Sequence, residues 1–204
     1  MRVFLVSEQD NDTYAFREGV PLTENQRLHQ SILPDMSGRA FPGPKRCPKC
    51  GELLAKWTEP LDGLKLAKRK YDLSTTYDGV TVASRKFIEL YELHGLAGLA
   101  FRQLPNDPTF FAVVAEKAVA FDAARRQTRF EDLCPICKHY RTVVVATPVY
   151  LKPGYKIGAK EFVRTDLEFA SGDEKSPLLL CGEEAAKVLK GAKLKGIYLE
   201  AIKD

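Results

Sequence analysis

Two identically spaced cysteine pairs, Cys47-Pro-Lys-Cys50-Gly51 and Cys134-Pro-Ile-Cys137-Lys138, constrain this 204-residue chain more than any other feature. Two residues between cysteines let a tight turn aim both sulfurs at one ion, and two such knuckles complete a tetrahedral shell of four thiolates. The pairs are separated by 83 residues, 51–133, whereas a compact zinc ribbon needs about 15–20. So long an interval calls for a reason beyond a local loop.

An internal repeat offers that reason. A gapless shift of 98 residues lays Val80, Val82, Phe87, Leu90 and Tyr91 on Leu178, Leu180, Ala185, Val188 and Leu189. It also lays Leu96, Gly98, Leu99, Phe101 and Leu104 on Leu194, Gly196, Ile197, Leu199 and Ile202. Each copy reads strand, helix, Leu-x-Gly turn, strand, and each follows a Cys-Pro-x-Cys and an Asp-Leu pair (Asp72-Leu73 and Asp166-Leu167). Such elements are common, so coincidence is the competing reading. The expectation is an α+β fold of two similar strand–helix–strand units, each preceded by a knuckle and joined through a shared four-cysteine zinc site. Residues 1–121 would hold the first strand, first knuckle and first unit, and residues 122–204 the second knuckle and unit, together in one compact body. If each copy begins with a knuckle, the two meet across an approximate two-fold axis.

Local signals fill in the elements. Residues 1–10 read as a first strand and residues 21–33 as a short helix stopped by Pro34. Residues 37–46 are a loop. Residues 79–83 alternate like a strand, Ser84 can cap a helix carrying Phe87, Ile88, Leu90 and Tyr91, and Gly95 is placed to end it. Leu99–Leu104 and Thr109–Ala115 read as strands around the turn-rich Pro105-Asn-Asp-Pro108. Residues 122–129 read as helix or loop, and Thr142–Pro148, with three consecutive valines, as a strand.

The start of the chain has only a brief apolar run, unlike a signal peptide, and no stretch is long enough to span a bilayer. The expected location is therefore the cytoplasm, where thiols stay reduced and paired cysteines favour metal over disulfides. Lys45, Arg46, Lys49, Lys138, His139 and Arg141 crowd the knuckles, where they suit the net −2 of four thiolates on Zn2+. The redox alternative needs a strand before the motif and a helix after it. Gly51–Lys56 can begin a helix, but Cys137 leads into the Val143–Val145 strand, which argues against redox chemistry at both pairs.

Cys181, the unpaired cysteine, falls on Ala83 under the repeat and reads as a small buried hydrophobe. His139 reads as a surface or supporting group, His94 as an imidazole suited to the helix dipole at a C-terminus, and His29 has no evident partner. Phosphate-binding glycine loops, His-Glu-x-x-His and Gly-x-Ser-x-Gly are absent from the sequence, and no carboxylate pair stands out as acid and base. The expectation is a protein that is not an enzyme. Lysine plus arginine exceed aspartate plus glutamate by 31 − 27 = 4. The clusters Lys65–Lys70 and Arg125, Arg126, Arg129 lack interleaved aromatics, so a solvated face is favoured and a zinc-ribbon-like nucleic-acid-binding protein is the alternative.

The layout resembles the double-CxxCG family of immunity proteins from myxobacteria and related bacteria. The resemblance is carried by Cys47-Pro-Lys-Cys50-Gly51, by Cys134-Pro-Ile-Cys137, and by Leu178–Leu189 followed by Leu194–Leu199. The ending is also similar to a related immunity domain, in which a strand precedes a helix of the form S-x-x-F-x-x-x-L and then Leu-x-Gly and a strand; Ser84–Tyr91 matches that helix. The family has glycine where Lys138 stands, so Lys138 must take a positive φ at roughly 1 kcal/mol, or the turn differs. The resemblance implies an intracellular protein that binds and neutralises a cognate toxin. Residues 52–78 and 138–176 would then be variable arms offering the partner-specific surface.

Overall fold

The structure, a computed structural model, describes residues 2–16 and 45–202. The helix expected over 21–33, His29 and most of the loop at 37–46 lie outside them. In chain order the elements are β1 (Val3–Asp10), β2 (Leu73–Thr75), β3 (Thr81–Ser84), α1 (Arg85–Leu93), β4 (Leu99–Leu104), β5 (Asp107–Ala115) and β6 (Ala118–Val119). There follow α2 (Ala123–Arg126), β7 (Arg129–Leu133), β8 (Tyr140–Val144), β9 (Phe162–Ser171), a 3-10 turn (Gly172–Glu174), β10 (Ser176–Gly182), α3 (Glu183–Gly191) and β11 (Ile197–Ala201). This is a strand-rich α+β protein. None of its described helices is long and apolar enough to cross a membrane.

One sheet runs β4-β5-β3-β2-β1-β10-β9-β8-β7, with β11 beside β1 and β6 beside β9. β1 thus pairs antiparallel with β10 and β11 from the far end of the chain and parallel with β2. β6 follows β5 after two residues and pairs parallel with β9.

α1 forms where the sequence predicts it. The Ser84 hydroxyl accepts from the Phe87 amide, and the chain leaves the helix through His94 into Gly95 at φ 59°. Phe87, Ile88 and Tyr91 face inward from α1, and Ala185, Ala186 and Leu189 face inward from α3, each 98 residues later. Both helices pack on one cluster with Phe4, Val6, Leu73, Val113 and Phe162. Full burial of each large side chain is worth about 1.5–3 kcal/mol.

The ladders around the two helices share a register. Val113 on β5 sits between Thr81 on β3 and Phe101 on β4. Val6 on β1 sits between Leu179 on β10 and Leu199 on β11. The neighbouring pairs follow suit, as do β2 against β3 (Leu73 opposite Ala83) and β9 against β10 (Phe162 opposite Cys181). The tight turns before β4 and β11 match as well. A Cβ on Gly98 would stand 2.1 Å from the Phe162 carbonyl, and one on Gly196 would stand 2.3 Å from that of Leu73.

Two expectations need correcting. The strand expected over Thr142–Pro148 ends at Val144, because Val145 turns to φ 70°. The two arms are not wholly surface, although residues 52–72 of the first lie outside the helices and strands. Leu61, Leu64 and Leu66 of the first are buried, and the second contains β9, with Phe162 and Val163 fully enclosed. Between residues 122 and 133 the chain forms both α2 and β7.

Candidate metal centre

The two knuckles have the same local wiring. The Gly51 amide donates to the Cys47 carbonyl (2.9 Å) and the Cys47 amide to the Glu52 carbonyl (2.8 Å). In the second knuckle the Lys138 amide donates to the Cys134 carbonyl (3.0 Å) and the Cys134 amide to the His139 carbonyl (2.9 Å). Closure of this turn requires a left-handed residue after the second cysteine. Gly51 supplies φ 76°, and Lys138 adopts φ 63°, the first of the two outcomes expected there. The pairs Arg46–Leu53 and Leu133–Tyr140 then close each turn as a small hairpin.

The fold brings the knuckles face to face across the 83 intervening residues. One ligand atom from each of Cys47, Cys50, Cys134 and Cys137 lies within 4.8 Å of all the others. Like pairs with like: Cys47 Sγ is 3.8 Å from Cys134 Sγ, and Cys50 Sγ is 3.6 Å from Cys137 Sγ. All four thiols are free. These separations are far beyond the roughly 2.0 Å of a disulfide. They suit a tetrahedron of sulfurs about 2.3 Å from a central ion, whose edges are about 3.8 Å. The first cysteine of each pair is buried and the second partly exposed.

Backbone amides already favour charge on the inner sulfurs. The Cys50 and Lys49 amides lower the Cys47 thiol below its ordinary range, and the Cys137 and Ile136 amides lower Cys134 to about 6. Burial pushes Cys50 up to about 12. A metal ion would bring all four to the thiolate form, since the thiolate is the ligand. Cys181 takes no part: it is wholly buried in the core, and burial pushes its thiol up to about 12.

The surrounding charges are organised beyond what the sequence suggested. Among the six charged neighbours of the motifs, Arg46 pairs with Asp173 at 2.9 Å. The pair at the junction that sequence reading missed is Glu52 with Lys175, 2.6 Å apart and 8% and 6% exposed. Lys175 also donates to the Tyr140 carbonyl. Elsewhere, two of the basic residues in Lys65–Lys70 are engaged, Lys68 with Asp12 and Arg69 with Asp107. A separate cleft of about 370 Å3 beside Trp57 is walled by Val80, Ala100, Phe101 and Ala112.

The face around the second knuckle is apolar for a surface. Phe130, Leu133, Ile136 and Tyr140, at 37–58% exposure, all lie on this one hairpin. The Phe130 and Tyr140 rings meet at a tilt of 53° with centres 5.1 Å apart. β7 forms the end of the sheet, with β8 as its one strand partner among the described residues.

No family model matches the chain, and a search among curated proteins finds no match.

Proposed function

We propose that this is a non-enzymatic binding protein in which one zinc ion, held by Cys47, Cys50, Cys134 and Cys137, clamps together two halves of common descent. It acts in the cytoplasm as an immunity protein, neutralising a cognate toxin by direct contact. The observation that carries the clamp is the meeting of four free thiols at tetrahedral spacing. Zinc is the usual occupant of a four-cysteine site that has no redox role.

Common descent is supported by the shared registers. From the first half to the second, the knuckles are offset by 87 residues, β2 and β9 by 89, and the strand–helix–strand elements by 98. The third strand of each set breaks chain order, since β1 stands where β5 does. The N-terminal strand thus completes the C-terminal half, which ties the two together covalently and through the sheet.

The immunity role rests on the family resemblance, and the exposed hairpin supports a binding surface. Apolar groups on a strand that, among the described residues, ends its sheet are the usual material of protein contacts. Co-expression with the product of a neighbouring toxin gene is the test. A complex at roughly 1:1, weakened by Phe130→Asp or Ile136→Asp, is expected, and failure to bind any such product would overturn the immunity reading.

A further inference from the structure

We propose that Lys175 is the positioning residue of the metal centre, a strut that sets the separation of the two knuckles before any ion arrives. The inference rests on the reading of the four cysteines as a metal site. It starts from the one large length difference between the matched halves. Five residues, 76–80, join the paired positions Thr75 on β2 and Thr81 on β3. Fourteen residues, 165–178, join the matching positions Arg164 on β9 and Leu179 on β10. The second hairpin is thus nine residues longer. Its extra length runs past the core to the knuckles, where Thr142 of β8 pairs with Ser171.

The tip of that extension contacts residues next to both knuckles. The Lys175 ammonium is 2.6 Å from Glu52, two residues after Cys50, and 2.5 Å from the Tyr140 carbonyl, three residues after Cys137. Its own carbonyl accepts from Lys56 at 2.6 Å, and Asp173 takes Arg46, the residue before Cys47, at 2.9 Å. Lysine is seldom buried unless paired, and here the side chain is 6% exposed. Loss of this cation would leave the Glu52 carboxylate buried and unpaired, and the two turns would no longer share an anchor. The ion would then have to order the knuckles itself, at a cost in affinity.

The test is zinc titration of the chelator-stripped full-length chain in competition with a chromophoric chelator. Lys175→Met is expected to weaken zinc binding roughly 10- to 100-fold while far-UV circular dichroism is retained, and Lys175→Arg to recover most of the loss. Unchanged affinity in folded Lys175→Met would overturn the proposal. Should that variant not fold, Glu52→Gln decides, since it removes the charge that Lys175 meets beside the first knuckle and keeps the side chain's size; several-fold weaker binding supports the strut and wild-type affinity refutes it. If the wild-type chain takes up no zinc, the metal reading falls by itself. The strut is then read from thiol labelling of metal-free protein: faster modification of Cys50 and Cys137 in Lys175→Met supports it, and equal rates refute it.

Discussion

Val6 and Val113 hold the same position in two ladders more than a hundred residues apart in the chain: Val6 lies between Leu179 and Leu199, Val113 between Thr81 and Phe101. Both belong to the cluster that receives α1 and α3. Because β1 supplies the middle strand for β10 and β11, the first residues of the chain are structural members of its last part. The knuckles meet because this interlocked framework carries them there, and 83 residues of intervening chain cost little once folded.

The cysteines separate by role. Cys50→Ser or Cys134→Ser is expected to abolish stoichiometric zinc, whereas Cys181→Ala leaves it unchanged and lowers stability by about 1 kcal/mol through a small cavity. Metal content and a chemical denaturation curve for each variant check this.

The two glycines before β4 and β11 are expected to fail alike. Gly98→Ala and Gly196→Ala each place a methyl within 2.1–2.3 Å of a carbonyl oxygen, at φ 92° and 85°. Each is predicted to cost more than about 2 kcal/mol of unfolding free energy, measured by denaturant titration.

Lys138 reports on the knuckle turn. At φ 63° the backbone accepts glycine freely and resists a β-branched side chain. Lys138→Val should destabilise the holo-protein by roughly 1–2 kcal/mol relative to Lys138→Gly. Equal melting of the two variants would contradict the turn described here.

Glu8 links stability to pH. Burial raises its carboxyl to about 7, against a hydrogen bond from Thr81 that lowers it. A raised carboxyl favours the folded state below the unfolded value of 4.5, and that contribution is lost as pH climbs through about 7. Glu8→Gln should therefore gain on the wild type as pH rises from 4.5 to 8, with the two curves parallel below that window. Denaturation midpoints across this range measure it.

Much of this was legible in the sequence where residue type and local order coincide. The knuckles are visible from spacing alone, and α1 from Ser84 and its apolar face. The 98-residue echo also places α3 and β11, because the apolar positions of each helix must face the same cluster. What escaped depends on contacts out of chain order. β1 matches β5 only across a reversal of sequence order that no gapless shift can find. β2 and β6, three and two residues long, carry no periodic signal. β9 alternates, but Arg164, Asp166 and Glu168 disguise a strand that the sheet encloses. The Glu52–Lys175 pair joins residues far apart in sequence, each of a type usually found in water.

The most direct test of the account is elemental mass spectrometry on protein purified without added metal or chelator. One zinc per chain is predicted, lost on removal of any one of the four clustered cysteines. A chain free of metal, with its four thiols reduced or joined as disulfides, would contradict the clamp and the function built on it.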